Sequence, residues 1–217
     1  MTETRPDTSA SNTNAQGSAN ADAPAKPAAS EHSPPTGTTT DHRYVTPGGE
    51  DFAYRATADW LVLRDKEDKP AAEIFYVAYT RQDCEAGQRP VTFVLNGGPG
   101  AASVYLHLGA MGPYRAVFDA DGRPPAPPAQ LETNPDSWLP FTDLVFIDPV
   151  GTGFSRAAKG VDPKQYWSLQ GDLQSVGEFI RLYVGQNNRW TSPLYVAGES
   201  YGATRAGGLA KYLQDEH

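Results

Sequence analysis

Ser200 stands between Gly198 and Gly202 in a Gly-x-Ser-x-Gly run. Leu194-Tyr-Val-Ala197 precedes it and Ala203-Thr-Arg-Ala-Gly-Gly208 follows. An apolar run, a tight turn and a helix-compatible segment form a nucleophile elbow. The small residues two positions either side of the serine let a strand and a helix approach without Cβ clashes, and the serine hydroxyl is left exposed at the turn. The helix that follows leaves N–H groups of its first turn without intrahelical partners. A five-residue match also fits an ordinary glycine-rich turn, so the remaining chemistry has to come from elsewhere in the chain.

About a hundred residues upstream, Val91-Thr-Phe-Val-Leu95 is an apolar, β-branched run that ends in Asn96-Gly97-Gly98-Pro99-Gly100. A glycine-rich loop after a buried strand lets the backbone itself approach a reacting carbonyl. One N–H of such a loop and the N–H of the residue after the nucleophile can hold an oxyanion, and here these are Gly98 and Tyr201. A serine hydroxyl also needs a general base oriented by a carboxylate. After Ser200 only Asp215, Glu216 and His217 remain. A helix rising about 1.5 Å per residue places His217 roughly 25 Å from Ser200, too far to serve. His32 and His42 fall in or beside a low-complexity tail, and His107 reads as a packed or surface helix residue. The catalytic Asp and His are therefore not expected in this chain, which reads as the N-terminal part of a longer enzyme or as a product lacking its base.

The elements that must position these residues follow in order. Residues 1–42 are rich in Ala, Ser, Thr, Asn and Pro and nearly free of large apolar side chains, so they are expected to be disordered. Residues 43–217 form the folded part. Phe52–Leu63 and Ala72–Tyr79 read as a hairpin, Val91–Leu95 as a strand, and residues 101–111 as a helix closed by Gly112-Pro113. Asp119–Pro128, with Pro124, Pro125, Pro127 and Pro128, reads as a stiff surface loop, and Asp143–Asp148 as a buried strand. Tyr166, Leu169, Leu173, Val176, Ile180 and Tyr183 recur at helical spacing behind Asp162 and Pro163 as cap and first-turn residues. Strand 194–197 then enters the elbow, and Thr204–Leu213 continues as its helix. Antiparallel leading strands followed by parallel strands with crossover helices make an α/β class chain, the first half of an α/β-hydrolase sheet.

Composition limits the alternatives. With 217 residues, 39% hydrophobic and 11% aromatic, the chain can bury one sizeable core. A net charge of −8 without Lys/Arg clusters argues against a nucleic-acid partner. No stretch approaches the roughly 18 apolar residues of a membrane span, and no secretory signal is visible, so a cytoplasmic location is expected. The single cysteine, Cys84, excludes an intrachain disulfide.

Asn96-Gly-Gly-Pro-Gly100, Asp148-Pro-Val-Gly-Thr-Gly-Phe-Ser155 and Gly198-Glu-Ser-Tyr-Gly202 together resemble the serine carboxypeptidase family, particularly its bacterial members, over roughly residues 50–217. The resemblance implies an enzyme that releases C-terminal residues from peptide substrates through an acyl-enzyme on Ser200, with no metal or organic cofactor. It also implies that Asn96, Gly97 and Glu199 bind the substrate's C-terminal carboxylate. A carboxyl beside the nucleophile accepts that group through a shared proton when neutral and repels it when ionised, which predicts an acid pH optimum. Read without the resemblance, Glu199 is also compatible with a first-turn helix acid and Asn96 with a turn former. The sequence departs from the family in Ala110, where members commonly have Glu, in Ala101, where many have Cys, and in an Asp-Pro step one residue shorter. These differences bear on exopeptidase specificity more than on acyl transfer. A related acyltransferase, an iminopeptidase-like exopeptidase and a non-catalytic binding module are the alternatives.

Overall fold

The computed structural model describes residues 34–216. Residues 1–33 of the tail expected to be disordered lie outside the described residues, as does His217.

The chain opens with three antiparallel strands, β1 (Thr38–Val45), β2 (Asp51–Arg64) and β3 (Pro70–Arg81). β4 (Val91–Leu95) leads into the glycine-rich loop, a single helical turn α1 (Val104–Leu106) and a π-helical segment, His107–Met111. The short pair β5 (Tyr114–Ala116) and β6 (Leu131–Thr133) holds the proline-rich loop, which is exposed as expected. β7 (Asp143–Ile147), the two-residue β8 (Arg156–Ala157), α2 (Leu169–Gln186), β9 (Leu194–Gly198) and α3 (Tyr201–Glu216) complete the described chain. The main sheet runs β1-β2-β3-β7-β4-β9, with β8 beside β3. β3 and β7 are antiparallel, whereas β7, β4 and β9 are parallel. Antiparallel leading strands and an inverted β7/β4 order are those of the α/β-hydrolase sheet.

Strand periodicity sorts the core onto two faces. Val91, Phe93 and Leu95 of β4 and Val145 and Ile147 of β7 join Val176, Phe179, Ile180 and Tyr183 of α2 and Leu209 of α3. Val94, Leu144 and Phe146 point the other way, into a cluster with Tyr54, Tyr79 and Met111. Both central strands are buried along their whole length, and this explains their continuous apolar sequences.

Three expectations are corrected. Residues 38–42 are not tail but strand, paired from Thr38↔Ala58 to His42↔Tyr54. An edge strand of this kind buries one side chain, Tyr44, and is held by backbone bonds and by the Arg55–Asp41 pair, so it lacks the apolar content by which a strand is read. The helix expected over 101–111 begins only at Val104. The Ser103 hydroxyl bonds the Val94 and Ile147 carbonyls, and the Asn134 side chain takes the carbonyls of Ala110 and Gly112, which leaves the segment wound as a π-turn closed by Gly112 N–H on the His107 carbonyl. Asp162 caps only a short 3-10 turn, Pro163–Tyr166; α2 has its own cap in Ser168, whose Oγ accepts the Gly171 N–H at 3.1 Å. The elbow helix runs from Tyr201 to Glu216.

Candidate active site

β4 and β9 are paired in parallel register up to Leu95↔Gly198. Their C-terminal ends therefore lie level, and Asn96 and Glu199 leave the sheet side by side. The Asn96 amide reaches Glu199 Oε2 at 3.5 Å, and Glu199 N–H donates to the Leu95 carbonyl at 3.2 Å. Ser200 follows with φ of 54°, a left-handed conformation that a non-glycine residue adopts at a cost of order 1–3 kcal/mol. The turn is closed by Gly202 N–H on the Glu199 carbonyl at 2.8 Å and Ala203 N–H on the Ser200 carbonyl at 3.0 Å. A Cβ on Gly198 would overlap the Gly202 carbonyl, and one on Gly202 would overlap the Leu95 carbonyl, so both glycines of the motif are required by contact. Glu199 and Ser200 are exposed.

The glycine-rich loop lies directly against this turn. A Cβ on Gly97 would stand 2.7 Å from Tyr201 N, 2.8 Å from the Glu199 carbonyl and 2.8 Å from Ser200 Cβ. Gly98 has φ of 106°, and the Gly97 carbonyl accepts the Ala101 N–H at 3.2 Å. Asn96 is buried; its Oδ1 accepts the Leu106 N–H at 2.9 Å, which fixes the amide face turned toward Glu199. The structure thus brings Asn96, Gly97, Gly98, Glu199, Ser200 and Tyr201 together at the ends of two neighbouring parallel strands.

A chain carrying this pair of loops in this order can be compared with known sequences. The family described as serine carboxypeptidase matches residues 47–217. This chain belongs to the serine carboxypeptidase family. Among its relatives, serine carboxypeptidase-like 50 of Arabidopsis thaliana is 31% identical over 152 residues, covering 68% of this chain and 32% of that protein. The pheromone-processing carboxypeptidase KEX1 of Colletotrichum graminicola is 34% identical over 153 residues, covering 66% and 21%. The chain therefore spans about a third or less of the length of these relatives. Among solved structures, the peroxisomal alpha-beta-hydrolase Lpx1 of Saccharomyces cerevisiae aligns over 83% of this chain and 41% of its own, at 14% identity and a TM-score of 0.41.

Other residues of this serine carboxypeptidase chain support the loops. Asp148, at the end of β7, accepts the Ser103 N–H at 2.9 Å and the Phe154 N–H at 3.3 Å. It ties the Gly-Thr-Gly turn to the far end of the glycine-rich loop. Burial pushes its carboxyl up, while the two N–H donors and Arg156 oppose the shift. His107 is bonded through Nε2 to the Tyr79 hydroxyl at 2.6 Å and stacks on Phe146 at 4.7 Å, the packed role expected. His42 stacks on Tyr54 in the leading strands.

Two residues that sequence reading passed over are central. Arg205 is 2% exposed and joins α3 both to the glycine-rich loop and to Asp172 on α2. Together they line a cleft of about 210 Å³ with Pro99, Gly100, Thr152 and Trp167. Their only sequence signal is a charged residue within an otherwise packed helix face. Among the described residues no cluster of three His, Cys, Asp or Glu side chains could hold a metal, and no helix is long and apolar enough to cross a membrane.

Proposed function

We propose that the protein of which this chain forms part is a serine-type carboxypeptidase that releases C-terminal residues from peptides. Ser200 Oγ attacks the carbonyl of the last peptide bond and gives its proton to a general base. The Gly98 and Tyr201 N–H groups hold the negative oxygen of the tetrahedral intermediate. The base returns that proton to the scissile nitrogen as the intermediate collapses, so the C-terminal amino acid leaves with a free amine and an acyl ester remains on Ser200, which water then cleaves by the same steps. Asn96, the Gly97 N–H and Glu199 receive the substrate's terminal carboxylate. The stacking of His42 on Tyr54 and the bond of His107 to Tyr79 support a general base supplied from outside the described residues.

The observation that carries this reading is the left-handed Ser200, with the Gly97 backbone packed against it, in a member of this family. The experiment uses the full-length protein and a blocked dipeptide offered as the free acid and as the C-terminal amide. Turnover of the acid, loss of most activity on amidation, and no turnover in Ser200→Ala are expected. Equal rates on acid and amide would assign the site to another acyl-transfer reaction, and full activity of Ser200→Ala would remove the serine from the mechanism.

A further inference from the structure

Arg205 makes three hydrogen bonds, two of them to the loop facing Ser200 and one to α2. Nε donates to Asp172 Oδ2 at 2.7 Å, one terminal nitrogen to the Asn96 carbonyl at 2.6 Å, and the other to the Pro99 carbonyl at 2.9 Å. The guanidinium also lies over the Tyr201 ring, 4.9 Å from its centroid. One buried side chain thus holds the carbonyls on both sides of Gly97-Gly98 and rests on the residue that follows the nucleophile.

The consequence comes from peptide geometry. In a trans peptide unit the C=O and the next N–H point in opposite directions. Turning the Asn96 carbonyl toward Arg205 turns the Gly97 N–H away from it. Turning the Pro99 carbonyl inward does the same for the Gly100 N–H. The unit between them, which carries the Gly98 N–H, is fixed by the bond from Ala101 N–H to the Gly97 carbonyl. Three successive donors of the loop are therefore oriented by bonds on its inner side, two of them from a single guanidinium. A planar fork with several donors suits two carbonyls and a carboxylate at once, and an ammonium does not.

We propose that Arg205, held by Asp172, is a positioning residue that sets the glycine-rich loop for the reaction at Ser200. This rests on the reading of Ser200 as nucleophile and of the Gly98 and Tyr201 N–H groups as its oxyanion donors. Arg205 touches no reacting atom, and its effect passes through the loop backbone.

The test uses the full-length protein and two variants. Arg205→Met/Asp172→Asn removes the donors without leaving a buried charge unpaired, and Arg205→Lys keeps the charge but not the fork. The kcat per active site, titrated with an organophosphonate, is measured on a p-nitrophenyl ester and on the free-acid dipeptide, alongside amide hydrogen exchange over residues 97–101. The double variant is expected to lose about 10²-fold or more in per-site kcat on both substrates, as removal of an oxyanion donor does. Exchange over 97–101 should quicken, and Arg205→Lys should fall between the double variant and the wild type. A purely structural role would lower the titrated fraction and leave per-site kcat within twofold of wild type, and that result overturns the proposal. If the wild type cleaves the ester but not the peptide, the carboxypeptidase reading fails while the ester rates still judge Arg205. If the wild type cleaves neither, exchange decides alone, and protection over 97–101 unchanged in both variants overturns the proposal.

Discussion

Gly97 and Tyr201 are packed so closely that a methyl group on Gly97 would stand 2.7 Å from the Tyr201 nitrogen. The same methyl would press on the Glu199 carbonyl and Ser200 Cβ at 2.8 Å, both part of the elbow turn. Gly97→Ala must therefore lift the loop from the elbow. A displacement of about 1 Å in a site of this kind costs on the order of 10² in rate. The full-length Gly97→Ala protein should lose at least that factor in per-site kcat. Wild-type kcat in this variant would show that the contact between loop and elbow is not needed for turnover.

What could be read from the sequence was whatever is imposed locally. The elbow and the glycine-rich loop were legible because their backbone paths admit few residue types, and β4 and β7 because burial on both faces leaves continuous apolar runs. β1 was not, because an edge strand that buries one tyrosine carries no apolar signature. The π-turn at His107–Met111 depends on Asn134, more than twenty residues downstream, and nothing in the local pattern announces it. Arg205 illustrates the limit best. Its acceptors lie 33, 109 and 106 residues away, so its role arises only when α2, α3 and the loop are assembled.

At the opposite end of β7, Asp143 is 1% exposed and joins three segments. It accepts from Arg89 Nε at 2.7 Å, from a terminal nitrogen of Arg189 at 2.6 Å and from the Arg81 N–H at 3.0 Å. Both arginines are themselves nearly buried, so Asp143→Ala would strand two guanidinium groups. Breaking a buried pair in this way costs about 3–5 kcal/mol. Urea unfolding of the full-length protein should show that loss as a lower midpoint at unchanged slope. Because Asp143 sits at the N-terminal end of its strand, away from Ser200, per-site kcat of the folded variant should remain at the wild-type value. An unchanged midpoint would mean that the three bonds contribute no net stability.

His107 gives the fold a defined acid sensitivity. Burial lowers its pKa from 6.5 to about 4, and the neutral ring is bonded through Nε2 to the Tyr79 hydroxyl while lying on Phe146. Between these two pH values the unfolded chain binds a proton that the folded one refuses, so stability falls as pH drops from about 6.5 to about 4 and levels off below. The size of the shift sets an upper bound of about 3 kcal/mol on this loss. Asp148 and Asp172, whose carboxyls are raised by burial, act in the opposite sense, so the effect is isolated by comparing variants rather than by the wild-type profile. His107→Gln keeps a hydrogen-bonding partner for Tyr79, able to donate or accept, and cannot be protonated. Its stability, measured by urea unfolding at pH 7, 5.5 and 4.5, should decline less steeply than that of the wild type across this window. Parallel profiles for the two proteins would show that another group carries the acid loss.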